Sequence, residues 1–417
     1  MTAASSTADR MRILLVGFVV PEATIQEAAA AGRLFEIAAN KLQWNIVNGV
    51  EVASGGPMNL VSSLPVHDYP LSPRIVVHGA RWCHREDSED VMLPYLNVVV
   101  LKHLTRFVSC FYYTSAWLTR NRGMGKRMVL VYGSHSGHLA AALAAVRVLG
   151  GKIVNIVTDL PSSPPFQEGC FRNSMRTLDR KILRWGMRRM DGLIVLARRL
   201  AEDLAPAVPW LLMEGVVSAS EIDRFGKEQV TTSQESTQEE FVILYSGGIH
   251  ASYGVDLLIS AFSLLENKNF RLWLFGKGTI VNRVEEAAQR DRRIKYWGVV
   301  PEGELQARAM QASVMINPRP GCDELTQYSF PSKLLSYMIT GRPVISTRLA
   351  GIPAEYFQYL IPLEEETPNG LAELLQIVAG WEHEVLDSLG QRARQFVKTK
   401  KNHISQGRRI FEFLRGL

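Results

Sequence analysis

The chain has 417 residues, 47% hydrophobic and 21% charged, the balance of an ordinary globular protein with room for two domains. No run of about eighteen apolar residues is free of charge, which argues against a transmembrane helix. The net charge of +6 is uneven: residues 1–215 carry seven more basic than acidic side chains and residues 216–417 one more acidic than basic, so an anionic partner is expected on the first half. The opening ten residues, MTAASSTADR, lack the apolar core of a signal peptide and read as a disordered tail. Cys83, Cys110, Cys170 and Cys322 have neither metal-ligand nor redox spacing. Four reduced thiols, no metal and a cytoplasmic location, at or near the inner face of the membrane, are the expectation.

Residues 12–18, RILLVGF, read as a first buried parallel strand. A helix over residues 33–44 follows, with Leu34, Ile37, Ala38 and Leu42 on one face. Residues 50–61 and 74–78 read as further strands around a Pro-rich connection. Residues 101–122 have the period of an amphipathic helix ending at Arg122. Leu101, Leu104, Val108, Phe111, Ser115 and Leu118 recur on one side; Lys102, Arg106, Tyr113, Trp117 and Arg120 fall on the other. A basic face interleaved with aromatics suits a membrane surface, and a solvated helix covering a sheet gives the same pattern.

Residues 128–132 are the next strand, leading through GSHSGH into an Ala-rich helix over 139–148. In doubly wound sheets ligands collect at the carboxyl ends of strands. His135 is therefore a candidate for contact with a substrate hydroxyl or for acid–base work, or else a helix cap. Asp159 ends the strand 152–158 and is a candidate to bind acceptor or orient a histidine, or simply to make the turn. Arg172, Arg176, Arg180, Arg184 and Arg188 recur at intervals of four, with Lys181 and Arg189 beside them. That stripe fits anionic lipid, a pyrophosphate-bearing acceptor or a solvated face. No zinc pattern, RNA-binding aromatic signature or helix-turn-helix signal accompanies it, so nucleic acid is not an expected partner.

Residues 11–217 thus form a first domain, residues 218–240 a polar linker and residues 241–403 a second domain in which strand, glycine turn and helix repeat. FVILY leads to Ser246, Gly247 and Gly248, and a later strand to Gly276-Lys277-Gly278. The most informative stretch follows Asn317-Pro318-Arg319, where Tyr328-Ser329-Phe330-Pro331-Ser332 opens a helix over 333–339 that Gly341 can cap. A helix start offers unpaired amides and a positive dipole end, Pro331 costs no hydrogen bond there, and Ser332 and Lys333 add a hydroxyl and a charge. The arrangement fits a phosphate or diphosphate, and also an ordinary α/β crossover. Two successive βα arrays predict an α/β protein of two Rossmann-like parallel-sheet domains facing across a cleft.

NPR, then YSFPSKLL, GRPVIST and GIPAEY, closely resembles the donor region of bacterial family 4 glycosyltransferases of the GT-B fold, in the branch that builds surface polysaccharides. The resemblance implies a retaining enzyme that moves a hexose-type sugar from a nucleotide-sugar, a UDP-sugar first among them, to a hydroxyl of a glycan, lipid-linked or other acceptor. It implies no bound cofactor or metal. Carried over by position, Arg319 and Lys333 hold the diphosphate with amides from Phe330 onward, Gly247 and Gly248 allow close approach to phosphate, and His135 and Asp159 sit on the sugar or acceptor side. The family's usual basic residues fall on Gly248 and Tyr253. Its two glutamates fall on Tyr328 and Ser336, leaving Ser336 as a weakened ribose contact. A final helix over 404–415 is implied to return to the first domain. These departures keep open a non-catalytic homologue that binds a partner. A nucleotide-sugar epimerase is a weaker alternative, because YSFPSK with GIPAEY does not resemble that class.

Overall fold

The computed structural model describes residues 11–21, 23–25, 37–67, 69–160, 170–227, 240–322 and 324–417. The tail 1–10, Leu34 and residues 228–239 of the expected linker lie outside these, as do the side chains of Arg172 and Arg176. The chain divides into two compact units, one comprising the chain up to Val216 together with His403–Leu417, the other Val217–Asn402.

The first unit is built on β1 (Met11–Gly17), α1 (Ile37–Ser54), β2 (Asn59–Ser62), β3 (Val76–Val77), β4 (Ala80–Trp82), β5 (Asp90–Met92), β6 (Tyr95–Leu96), α2 (Val99–Arg120) and β7 (Lys126–Tyr132). It continues with α3 (Ser136–Leu149), β8 (Lys152–Val157), α4 (Cys170–Met187), β9 (Gly192–Val195), α5 (Arg198–Leu204) and β10 (Trp210–Leu212). Its sheet runs β10-β9-β8-β7-β1-β2-β5-β4, parallel except for the β4 edge. Helices cover the sheet, so its central strands are continuous apolar runs: Ile13, Leu14, Leu15 and Val16 are buried, as are Met128 through Val131.

The second unit starts with α6 (Ala219–Lys227), so part of the expected linker is helical. Then come β11 (Phe241–Ser246), α7 (Val255–Ser263), β12 (Phe270–Phe275), α8 (Val281–Arg290), β13 (Ile294–Gly298), α9 (Glu302–Gln311) and β14 (Val314–Asn317). The unit ends with α10 (Lys333–Met338), β15 (Val344–Thr347), β16 (Ile361–Leu363), α11 (Pro368–Ala379) and α12 (His383–Lys400). Its sheet order is β13-β12-β11-β14-β15-β16, parallel throughout.

The last helix, α13 (His403–Gly416), belongs to the first unit. Gly49 of α1 and Gly407 meet backbone to backbone, with no room for a Cβ on either. Gln406 Nε2 donates to the Met213 and Gly215 carbonyls at 2.6 and 2.9 Å, and Ile410 and Leu414 are fully buried.

Two expected elements differ. The segment 50–61 is not one strand, because α1 continues through Val50 to Ser54 and stops at Gly55, whose φ of +68° suits a residue without Cβ. The faces of α2 are also inverted. Lys102 and Trp117 are buried, whereas Leu104, Val108 and Tyr112 are 60%, 57% and 64% exposed; only at the end of the helix does Leu118 stay buried and Arg120 exposed. Lys102 tolerates the interior because its Nζ donates to the Val66 carbonyl at 2.8 Å, and Arg106 Nη2 reaches the Leu64 carbonyl at 3.2 Å. Charged side chains that find backbone acceptors turn inward, and leucines turn out.

A buried charge cluster ties the β4–β5 edge to α1. His84 Nδ1 lies 2.7 Å from Asp90 Oδ2 and its Nε2 2.9 Å from Glu51 Oε1. The two carboxylates also accept backbone amides, from Met58 to Glu51 and from Leu60 to Asp90. Burial alone would lower the His84 pKa, but hydrogen bonds and charge from Asp90 and Glu51 raise it to about 9. The stabilisation is fully present below the unfolded histidine pKa of about 6.5 and is lost as pH rises through about 9. His84→Gln should cost about 3 kcal/mol at pH 6, by leaving buried Asp90 without a cation and Glu51 with only the exposed Arg85, 3.6 Å away. Urea unfolding at pH 6 and pH 10 checks this: the deficit should shrink at the higher pH, and an equal deficit would refute the charge account.

Candidate functional site

In the second unit the loops at the carboxyl ends of β11, β12 and β14 touch through glycines. A Cβ on Gly276 (φ +125°) would strike the Gly247 carbonyl, one on Gly278 the Ile249 carbonyl, and one on Gly254 (φ +76°) the Pro318 carbonyl. The Gly247 amide donates to the Phe275 carbonyl at 3.0 Å, holding the first turn on the second strand. Two tyrosines pin the turn from below. Tyr337 of α10 accepts from the Ser246 amide at 2.9 Å and donates to the Ser246 carbonyl at 2.6 Å. Tyr245 donates to the Gly248 carbonyl at 2.6 Å. Burial pushes the Tyr337 hydroxyl up to about 12 and the Tyr245 hydroxyl further, so both remain neutral donors.

Over this turn stand two cations. Lys333 Nζ donates to the Tyr245 hydroxyl at 3.0 Å and lies 5.1 Å from the Tyr253 ring centre. The Arg319 guanidinium lies 5.4 Å from the same ring and donates through Nη1 to Ser329 Oγ at 3.1 Å. Its Nε is buried with no partner. Among the described residues neither cation is in an ion pair. Burial first, and then the Arg319 charge, push Lys333 down to about 8. Gly247, Gly248, Ser329, Arg319 and Lys333 are thus gathered in one place, and Tyr253 bears both cations on its face.

The remaining expected residues are distributed differently. Phe330 and Pro331 are buried, with Phe330 packed on Tyr356. Tyr328 is half-buried, and Ser332 and Ser336 are exposed. Helix α10 spans six residues, so its dipole is short and the side-chain cations dominate the local field. Tyr245 and Tyr337 were not anticipated, because an aromatic on an apolar strand or helix reads as core.

In the first unit His135 is the N-cap residue of α3, without a capping side-chain bond, and His138 one turn on is buried. His138 Nε2 is 2.8 Å from Ser63 Oγ. Asp159 is exposed beyond β8, where its backbone carbonyl accepts from Ser134 Oγ at 3.2 Å. A cavity of about 60 Å³ is lined by Phe18, His103, Arg106, His135 and His138; its acid is Asp179, not Asp159. Arg106 was legible only as part of the basic face of α2, and His138 only as the second histidine of GSHSGH. Among the described residues, no group of three His, Cys, Asp or Glu side chains is placed to hold a metal ion.

Residues 240–378, within the second unit, match the family model described as Glycosyl transferases group 1. A comparison with curated proteins finds no match. Among solved structures, sucrose-phosphate synthase from Thermosynechococcus elongatus aligns with a TM-score of 0.62 at 13% identity, over 97% of this chain and 98% of that one. Anabaena HepE in complex with UDP aligns with a TM-score of 0.59 at 12% identity, over 98% and 100%. The lipopolysaccharide outer core galactosyltransferase WaaB, in its apo form, gives 0.60 at 12%, over 98% and 100%. The fold is that of the GT-B glycosyltransferases. Within it, the glycine turn with Lys333 and Arg319 falls inside the segment that the family model matches.

The depressed Lys333 has a consequence for stability. Between its folded value of about 8 and the unfolded value of about 10.4 the unfolded chain binds more protons, so stability rises with pH across that window and the deficit is complete below it. Lys333→Met should raise the thermal midpoint at pH 7 and change it less near pH 10.5. A lower midpoint at pH 7 would rule out the desolvation account.

Proposed function

We propose that the chain is a glycosyltransferase that takes a sugar from a nucleoside-diphosphate donor, with the diphosphate on Lys333 and Arg319 above the Gly247–Gly248 turn. The observation that carries this is a pair of cations without an ion-pair partner among the described residues, held over a turn where no Cβ blocks a ligand. The two charges are available for a leaving diphosphate, whose developing negative charge they would stabilise without reorganising. A UDP-sugar with a hexose is the favoured donor. The HepE structure that aligns with the chain contains UDP, and the sequence resemblance points to the same class. Transfer with retention to a glycan or lipid-linked hydroxyl follows from the family 4 resemblance. His135 and Asp159 remain the proposed contacts to sugar and acceptor, and Ser336 the proposed contact to ribose.

A thermal-shift panel of UDP, GDP, dTDP and ADP tests the donor reading, since a ligand of the folded state raises the midpoint. One nucleotide should give a clear shift. Lys333→Ala and Arg319→Ala should each weaken its binding at least tenfold, about 1.4 kcal/mol. Ser336→Glu should tighten it if Ser336 meets the ribose. Nucleotide affinity unchanged in both cation variants would overturn the diphosphate assignment. No shift from any nucleotide would favour a non-catalytic homologue.

Peripheral membrane binding is a second part of the proposal. The outward face of α2 exposes Leu101, Leu104, Val108 and Tyr112. Exposed Leu96 and Val76 pair across β3 and β6, and the Leu96 amide donates to Thr105 Oγ1 of α2, so the apolar patch is continuous. Helix α4, which packs on α3, exposes Trp185 with Arg180, Lys181 and Arg184, and the exposed Arg188 and Arg189 follow its end. Apolar side chains beside a basic, Trp-bearing helix match what an anionic bilayer surface binds. No helix among the described residues is long and apolar enough to cross a membrane. Co-sedimentation with phosphatidylglycerol vesicles should fall severalfold in Leu104→Glu/Val108→Glu and in Arg184→Glu/Arg188→Glu; retention of both variants would refute the surface.

A further inference from the structure

We propose that the small cavity at the start of α3 binds a phosphate group carried by the acceptor; the anion site stands on its own geometry, and the word acceptor rests on the glycosyltransferase reading above. The cavity, about 60 Å³, is far below the roughly 300 Å³ at which drug-sized ligand pockets begin. It admits a phosphate-sized group and leaves a sugar ring or a lipid outside. Its floor is the first turn of a 14-residue helix, whose opening amides have no side-chain cap. Arg106 and His103 of α2 line one side, and His135 and His138 of α3 another.

An independent observation points to a ligand. His138 is 1% exposed and lines the cavity, its Nε2 is committed to Ser63, and its Nδ1 has no partner. When the Ser63 hydroxyl donates to Nε2, the proton lies on Nδ1 and a buried donor is left unmade, which is costly unless something accepts it. Arg106 is likewise incompletely used: one terminal nitrogen meets the Leu64 carbonyl, the guanidinium lies 4.2 Å from the Tyr95 ring centre, and the buried Nε is unpaired. A tetrahedral phosphate can take several such donors at once, including a guanidinium pair, in a way that a hydroxyl cannot.

The local charge agrees. Burial first, and then Arg106, hold both His135 and His138 below the ordinary histidine value, with His103 adding to each and Lys102 to His135. An anion would reverse both shifts. Asp179 is the acid facing the cavity, and its carboxylate should oppose an incoming phosphate.

The test is histidine-detected NMR titration of the full chain with inorganic phosphate, without and with saturating UDP. Phosphate should bind in both conditions and raise the His135 pKa. Arg106→Gln and His103→Gln should each weaken phosphate at least threefold, and Asp179→Asn should tighten it, all with UDP affinity unchanged. His103 is exposed, so its variant keeps the test valid if Arg106→Gln unfolds. Phosphate affinity insensitive to these changes, or abolished by UDP, overturns the site. Loss of UDP binding alone, with Arg106-dependent phosphate binding intact, defeats the donor reading and leaves the anion site standing. Competition then separates two sources: glucose 6-phosphate displacing phosphate marks a soluble phosphorylated acceptor, and farnesyl diphosphate in phosphatidylcholine vesicles marks a lipid-linked one. Displacement by neither means an adventitious ion only and refutes the acceptor assignment.

Discussion

The second unit depends on backbone passing against backbone where its strands end. Gly254 lies on the Pro318 carbonyl, Gly276 on Gly247 and Gly278 on Ile249, each at a separation that no Cβ would permit. Parallel strands bring these loops to one edge of the sheet, and small residues let them close into a single surface. The Gly247–Gly248 turn then has no freedom to relax, because Tyr337 holds both polar groups of Ser246 and Tyr245 holds the Gly248 carbonyl. The rigidity is paid in glycine entropy, which explains why the chain is glycine-rich here and apolar immediately below.

That frame permits an electrostatic arrangement that would otherwise relax. Two cations near one tyrosine ring repel each other, and burial adds to the cost at Lys333. Each is held by a neutral hydroxyl, Tyr245 or Ser329, and not by a carboxylate. A carboxylate would neutralise the charge and fill the place that an anion needs. Sites that keep like charges together and leave them unneutralised are where an incoming opposite charge gains most. Tyr253 contributes to keeping the two charges together: its ring face receives cations supplied by two other loops.

Much of this was legible in the sequence because parallel-sheet proteins write their strands as apolar runs and their functional loops as glycine and polar residues just beyond. The runs ending at Gly17, Tyr132 and Ser246 were readable for that reason, as was the cluster from Arg319 to Lys333. Periodicity failed where it identifies two faces without saying which is inside. In α2, a Lys and an Arg that find the Val66 and Leu64 carbonyls are better buried than Leu104 or Val108, and no pattern of residue types announces those carbonyls. The segment 50–61 failed for a related reason: β-branched residues from Val50 onward imitate a strand, whereas packing of α1 against α13 keeps them helical as far as Ser54. Asp159 and Asp179 show the limit for sites. Asp159 lies just past a strand and Asp179 in the middle of α4, and only the fold decides that Asp179 faces the cavity while Asp159 meets solvent.

The inversion of α2 links two properties that the sequence presents as one. Its inward face delivers Arg106 to the cavity at the start of α3, and the same residue's stacking on Tyr95 fixes where that charge stands. Its outward face carries Leu104, Val108 and Tyr112. Exposed leucines on a helix are ordinary when scattered, but here they recur with helical spacing beside the exposed Leu96 and Val76. Turning Lys102 and Arg106 inward and Leu104 and Val108 outward are therefore two consequences of one choice of helix rotation. A substitution that removed the inward hydrogen bonds of Lys102 and Arg106 would free the helix to turn its leucines back into the unit, losing the cavity charge and the apolar surface together.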